Sequence, residues 1–353
     1  MITKVLDVSS EPINIDFIRE ASRILQKGGL VAFPTETVYG LGGDATDKEA
    51  SRKIYQAKGR PSDNPLIVHI AKFQQLEAIA KDLPENAKKL ADAFWPGPLT
   101  MVVNKNEVIP YETTGGLDTV AVRMPSHPVA LALIEESGCM IAAPSANTSG
   151  RPSPTKADHV YEDLQGKIDC ILDGGAVDIG LESTIVDLTE DVVTILRPGY
   201  INMEMLEKVV GQVKIDPGIV YNDKGTTSGA KPKAPGMRYK HYAPKGDLTI
   251  VKGQEANVIS AINEMTARDM AAGKKVGIIA TATTKDKYKE GNILVIGDRL
   301  DEKSIAHNLY DILRQFDELD VDIIYSESFA TPNMGQAIMN RLLKAAGQKT
   351  IAV

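Results

Sequence analysis

Cysteine is nearly absent from this chain of 353 residues: only Cys139 and Cys170 occur, and no Cys-x-x-Cys spacing is present. That excludes a disulfide framework and a zinc ribbon, and it leaves both thiols as small core residues. The five histidines form no His-x-x-x-His or His-x-x-Glu-His group, so no dedicated transition-metal site is expected. No apolar run approaches the roughly 18 residues that a membrane helix needs. The N-terminal Met-Ile-Thr-Lys-Val-Leu-Asp has neither the charged start nor the apolar stretch of a signal peptide, and the expected location is the cytoplasm. Two nucleotide signatures are also missing. No Gly-x-x-x-x-Gly-Lys-Ser/Thr loop occurs, since Gly225-Thr-Thr-Ser-Gly-Ala-Lys231 has the wrong spacing, and no Gly-x-Gly-x-x-Gly follows the strand that ends at Val251. Any ATP site is therefore unconventional.

What is present is enough apolar material for a large core, 43% of residues, in a chain long enough for two domains. The net charge of −7 argues against a general nucleic-acid binder. Six lysines and arginines nonetheless fall between Lys224 and Lys245 with no acidic residue among them, so a basic ribbon joins an acidic body. Residues 1–210 alternate short, unevenly spaced strands (Leu30–Phe33, Leu66–Ile70, Leu99–Val103, Val120–Val122, Met140–Ala143, Ile171–Leu172, Thr184–Asp187, Val193–Leu196) with helical stretches. This predicts an α/β domain built on a mixed, twisted sheet. Residues 211–246, rich in Gly and Pro, read as a linker. Residues 247–353 keep a regular strand–helix rhythm and predict a smaller parallel α/β domain.

The chemistry concentrates in a few segments. Phe33-Pro-Thr-Glu-Thr-Val-Tyr-Gly-Leu-Gly42 follows an apolar strand, and its glycines read as turn residues that leave the polar cluster at a strand's end. Lys58 and Arg60 stand two apart at the end of a helical segment, where an ammonium and a planar guanidinium can share one polyanion. The alternative is a solvated pair beside a turn. Ser145, Asn147, Thr148, Ser149 and Ser153 crowd short donors into a loop after the strand Met140–Ala143, a nest for an anion or an ordinary Asx/Ser turn. Arg123 ends a β-branched strand as a carboxylate clamp or a surface ion pair. Ser183 precedes a buried strand, Arg197 ends the next, and His69 reads as a satisfied strand histidine. No Ser, Cys or His nucleophile is signalled, so the set suits positioning and charge neutralisation, as adenylyl transfer requires.

Taken in order, Pro34-Thr-Glu-Thr-Val-Tyr-Gly-Leu41, Lys58-x-Arg60, Asn64-Pro-Leu66, Pro144-Ser-Ala-Asn147, Ser149-Gly-Arg-Pro-Ser153, Glu182-Ser-Thr-Ile-Val-Asp187, Arg197-Pro-Gly199 and Pro235-Gly-Met-Arg-Tyr-Lys-His-Tyr-Ala-Pro244 resemble the threonylcarbamoyl-AMP synthase family in its long form. That form pairs a YrdC-like catalytic domain with a C-terminal accessory domain, here Rossmann-like; the tail matches by length and rhythm only. The resemblance implies synthesis of L-threonylcarbamoyladenylate and pyrophosphate from L-threonine, bicarbonate and ATP with Mg2+. The product then passes to a tRNA threonylcarbamoyl transferase complex, with no direct tRNA binding required. It assigns Lys58, Arg60, Ser145 and Asn147 to the phosphates and the reacting carbamate, and Thr35, His69, Arg123, Ala143 and Ser183 to threonine. Ser62, Thr119, Ser153, Arg197 and Tyr242 complete the ATP site, with Arg151 a further candidate. The basic ribbon, through Arg238 or Tyr242, is expected to close over the site. Two alternatives stand beside this: a non-catalytic RNA or nucleotide-binding module, and a carbamoyl-adenylate enzyme of protein maturation. Few aromatics and the acidic balance weigh against the first. The absence of zinc-finger or acylphosphatase-like segments weighs against the second.

Overall fold

Alternation along the strands dictates which residues reach each face of the main sheet. The computed structural model describes residues 2–219, 242–329 and 333–353. Within them, β1 (Lys4–Asp7), β2 (Val31–Phe33), β3 (Gly40–Asp44), β4 (Ile67–His69), β5 (Leu99–Asn104), β6 (Thr119–Arg123), β7 (Ile141–Ala142), β8 (Cys170–Asp173), β9 (Thr184–Asp187), β10 (Val193–Arg197) and β11 (Val213–Ile215) form one sheet in the order β1-β8-β2-β3-β7-β4-β6-β5-β9-β10-β11. The β4/β6, β5/β9 and β10/β11 pairs are parallel, whereas β2/β3, β3/β7, β4/β7, β5/β6 and β9/β10 are antiparallel. The sheet is therefore mixed.

Successive side chains point to opposite faces. Val31 and Phe33 join an apolar cluster that includes Ile18 and Leu25 of the helix Ile15–Gln26 and Val129 and Leu133 of the helix Pro128–Ser137. Ala32, between them, joins the larger cluster with Leu41, Ile54, Val68, Met101, Val122 and Val186. Being buried on both faces explains why this strand reads as a continuous apolar run. In β4, β5, β6 and β9 the residues that alternate with the large cluster form a third, smaller group: Ile67, Val102, Ala121 and Ile185, joined by Leu196 of β10.

Most elements read from the sequence are present to within a few residues, but β1, β3 and β11 were not anticipated, nor were the helices Tyr111–Thr114, Ala157–Leu164 and Met203–Val210. The first sheet thus continues past residue 210. The glycines of β3 are strand residues, not turn residues. A Cβ on Gly42 would lie 2.6 Å from Ile141 Cγ2 and 2.8 Å from Phe33 Cε1, so glycine stands there to let neighbouring side chains cross the strand.

Lys240–Val353 belongs to a second compact unit, in which β12 (Asp247–Lys252), β13 (Val276–Thr281), β14 (Asn292–Gly297), β15 (Ile323–Glu327) and β16 (Thr350–Ala352) form an all-parallel sheet in the order β14-β13-β15-β12-β16. Its helices are Glu255–Ala271, Glu302–Glu318 and Gly335–Ala345, where the sequence rhythm placed them; the final strand was missed. Most of the basic ribbon, Arg238 included, lies outside the described residues, as does any closure over the site. No described helix is long and apolar enough to cross a membrane.

Gly42→Ala should cost about 1–3 kcal/mol of stability, because Ile141 and Phe33 must leave their rotamers to admit the methyl group. Urea denaturation will read this as a lower midpoint at constant slope; an unchanged midpoint contradicts the packing assignment.

Candidate active site

The same alternation places Thr119, Ala121 and Arg123 on one face of β6, with Ile67 and His69 of β4 and Thr100 and Val102 of β5 beside them. His69 and Arg123 are register partners in the parallel β4/β6 pair, and Thr100 faces Arg123 across the antiparallel β5/β6 pair. The polar residues thus fringe the small apolar group around Ile67 and Ala121. His69 and Arg123 close β4 and β6, so they stand at strand ends, as the sequence suggested, and share one face of the sheet.

Arg123 is 4% exposed, so it is not a surface residue. Its Nη1 donates to Thr37 Oγ1 at 2.8 Å, and its Nη2 lies 2.7 Å from Glu36 Oε1, an ion pair buried on both sides. Glu36 Oε2 accepts from Ser126 N at 3.1 Å. Arg123 Nε is buried and has no hydrogen-bond partner among the described residues. A buried donor left without a partner is an exception that calls for an explanation. Thr35, also buried, ties its own loop together: its Oγ1 donates to Val38 O at 2.6 Å and accepts from Thr37 N and Val38 N at 3.2 Å. Glu36 and Thr37 were not singled out from the sequence, although a carboxylate between two threonines directly after a buried strand was the available signal.

His69 has its Nδ1 3.2 Å from Ile67 O and meets the Phe33 ring edge-on, with centroids 6.0 Å apart. Burial, and secondarily the Arg123 charge, push its pKa down to about 3, so the ring is neutral near pH 7. It supplies shape and a neutral dipole beside the guanidinium.

On the same side, Ser183 Oγ lies 2.7 Å from Thr100 Oγ1. Arg197 donates from Nε to Ser183 O at 3.0 Å and from Nη2 to Ser183 Oγ at 3.1 Å. Ser153 Oγ donates to Glu182 Oε1 at 2.6 Å. Thr100 and Glu182 extend the expected set.

The cation cluster is built by a helix end. Asp47 caps the helix Lys48–Lys58, its side chain accepting from Glu49 N at 2.8 Å, and Gly59 ends it with φ +61°. That left-handed residue reverses the chain immediately after Lys58 and sends Arg60 into the following loop. Lys58 is 1% exposed and its Nζ donates to the carbonyls of Ser145 and Asn147. Ser145 Oγ donates to Asn147 Oδ1 at 2.5 Å. The loop carrying these two continues the sheet: Leu41 N donates to Pro144 O and Ala146 N to Tyr39 O, while Ala143 N donates to Ile67 O. Arg60 Nη2 donates to Pro65 O at 3.2 Å.

The structure therefore joins Lys58 with Ser145 and Asn147, and Arg123 with Thr37, Glu36, His69 and, through Thr100, Ser183 and Arg197. Ser62 is exposed beyond Arg60. Thr119 opens β6, about 13 Å from Arg123 at 3.3 Å per residue. Arg151 groups with the second unit, where it pairs with Asp317 at 3.4 Å. Tyr242 is also in that unit, its ring centroid 5.1 Å from that of Tyr310. Among the described residues, no group of three His, Cys, Asp or Glu side chains could hold a metal.

A family profile described as telomere recombination, covering Sua5, YciO and YrdC, matches residues 23–199, and one described as threonylcarbamoyl-AMP synthase, C-terminal domain, matches residues 201–347. The threonylcarbamoyl-AMP synthase of Pyrococcus abyssi is 52% identical over 336 residues, covering 95% of this chain and 96% of that protein. The synthase of Bacillus subtilis is 47% identical over 98% of both chains. The crystal structure of P. abyssi Sua5 complexed with L-threonine superposes with a TM-score of 0.93 at 49% identity, over 99% of this chain and all of that one.

Two measurements probe this geometry. Arg123→Met should lower stability by about 3–5 kcal/mol by stranding the Glu36 carboxylate, and adding Glu36→Gln should recover part of the loss. Simple additivity of the two changes is the contrary result. For His69, the folded pKa of about 3 lies below the ordinary 6.5. The unfolded chain alone therefore binds the proton between these values. The contribution is full above pH 6.5 and lost as pH falls toward 3, at about 1.4 kcal/mol per pH unit. Denaturation of His69→Gln across that range should be shallower by this slope.

Proposed function

The chain belongs to the threonylcarbamoyl-AMP synthase family, and from that premise we propose how its own residues carry the reaction. It is an L-threonylcarbamoyladenylate synthase, an adenylyl-transferring enzyme whose product serves threonylcarbamoyladenosine modification of tRNA. Identity over nearly the whole chain with two such synthases sets aside a non-catalytic RNA-binding module and a protein-maturation enzyme. The assignment of threonine rests on one observation above all, the buried Arg123 guanidinium with its unused Nε.

Threonine lays its carboxylate on Arg123, which Glu36 and Thr37 hold in place. The neutral His69 adds no second charge beside it, and Thr35, Ala143 and Ser183 shape the remainder. The free amine of threonine adds to the carbon of CO2 and loses a proton, or condenses with bicarbonate and releases water, to give N-carboxythreonine. That new carboxylate attacks the α-phosphorus of ATP: an oxygen–phosphorus bond forms, the α–β bridge breaks, and pyrophosphate leaves with the electron pair. Two anions meet in this step. Lys58 and Arg60 offset their repulsion and stabilise charge on the departing pyrophosphate, while Ser145 and Asn147 fix the reacting groups. Ser62, Thr119, Ser153, Arg197 and Tyr242 take the rest of the nucleotide. Magnesium would arrive as part of the MgATP substrate and would offset the charge of the phosphates. The expected setting is the cytoplasm, with hand-over of the adenylate to a tRNA threonylcarbamoyl transferase complex and no direct tRNA binding required.

Pyrophosphate should appear only when ATP, threonine and bicarbonate are all present, followed by phosphorus NMR. ADP and phosphate, or turnover indifferent to threonine, contradict the assignment. Arg123→Ala should weaken threonine binding by roughly 10- to 150-fold, the equivalent of a lost charged hydrogen bond, whereas Lys58→Ala should chiefly slow pyrophosphate release. Calorimetric titration with threonine separates the two.

A further inference from the structure

The second unit carries a crevice that the synthase reaction does not use. In the sheet order β14-β13-β15-β12-β16, the chain leaves β12 for β13, on the far side of β15, and leaves β15 for β16, on the far side of β12. Connections that diverge from two neighbouring parallel strands open a gap outside their carboxyl ends, where open α/β sheets bind ligands. A cavity of about 230 Å³ occupies that position, lined by Gly253, Glu255, Val258, Arg299, Glu327 and Ser328.

Its base is an ordered polar network. Glu327, 1% exposed, accepts from Tyr288 OH at 2.8 Å and from Thr284 Oγ1 through one carboxylate oxygen, and pairs with Arg299 Nη2 through the other. Arg299 Nη1 donates to Ser328 O at 2.9 Å. Arg299 Nε is buried with no hydrogen-bond partner among the described residues. The helix Glu255–Ala271 starts at this wall, and its N-cap Gln254 makes no side-chain capping bond, so the amides of the first turn add further donors. Packing alone does not call for such an arrangement, since apolar residues of similar volume would serve a core at least as well.

Charge and size select the ligand. Arg299 and Lys287 stand against Glu327 and Glu255, with Lys287 2.6 Å from Glu255, so the wall is balanced. A phosphate dianion would face two carboxylates there. A zwitterion would place its carboxylate on Arg299 and the helix amides, and its ammonium on Glu255 and Glu327. The volume falls below the about 300–1,000 Å³ typical of drug-sized ligands, and suits a small metabolite better than a nucleotide. We propose that this crevice binds a free α-amino acid, at a site separate from the threonine site of the first unit and independent of its assignment.

The test is calorimetry on the full-length chain with each of the twenty amino acids, the deaminated acid of any that binds, and inorganic phosphate. These are repeated on Arg299→Gln and on Ser328→Leu, which narrows the crevice without touching the network's charges. At least one amino acid should bind wild type with an affinity lowered tenfold or more in both variants, and its deaminated counterpart should bind more weakly. Threonine binding that Arg123→Ala removes and Arg299→Gln leaves belongs to the first unit, so failure of either site is read separately. The proposal is overturned if no amino acid shows binding that these variants weaken, or if phosphate binds the crevice more tightly than any amino acid. Should Arg299→Gln lose the native circular dichroism, Ser328→Leu decides alone.

Discussion

A guanidinium buried on a sheet face is the constraint around which the catalytic unit is arranged. Removing Arg123 from water is costly, and the cost is met only by groups that come from separate stretches of chain: the Glu36 carboxylate, the Thr37 hydroxyl, and the neighbouring strands. The loop between β2 and β3 must therefore fold back over β6. Its backbone is locked for that purpose by Thr35, and Glu36 is itself anchored by Ser126 N. Arg123 Nε stays buried without a hydrogen-bond partner among the described residues.

The second cation obeys a different logic. Lys58 is 1% exposed, and its ammonium donates to the carbonyls of Ser145 and Asn147, so a helix end and a loop distant in sequence meet at one charged group. Arg123 is held by side chains, through Glu36 and Thr37, while these bonds of Lys58 run to main-chain carbonyls. His69, the register partner of Arg123, is neutral near pH 7, since burial and the Arg123 field both oppose its protonation.

The parallel sheet of the second unit offers a contrasting economy. Its polar network sits at the carboxyl ends of parallel strands, where regular strand–helix connections leave a gap, whereas in the first unit His69, Arg123 and Arg197 close strands of a mixed sheet whose connections are irregular. The regular unit was the easier to read from rhythm. Its strands are β-branched runs of similar length separated by long amphipathic helices, and the short closing strand Thr350–Ala352, exposed at the sheet edge, carried too little apolar pattern to register.

The amino-acid sequence by itself determined the strand and helix positions wherever apolar periodicity was strong, the α/β class of both units, and the family, through motifs whose order and chemistry are specific. It also marked Lys58, Arg60, Ser145, Asn147 and Arg123 as candidates, because charge and hydroxyl density are local properties of the text. Only the tertiary structure decided that Gly40, Gly42 and Gly43 belong to a strand, because the reason is a steric meeting of Phe33 and Ile141 across roughly a hundred residues. Only it paired Arg123 with Glu36, making the strand-end cation a buried member of an ion pair and not a surface one, and only it set Thr100 against both Arg123 and Ser183. Which residues share a face follows from register between strands distant in sequence. Register is fixed by the packing of whole faces, and no single segment contains it.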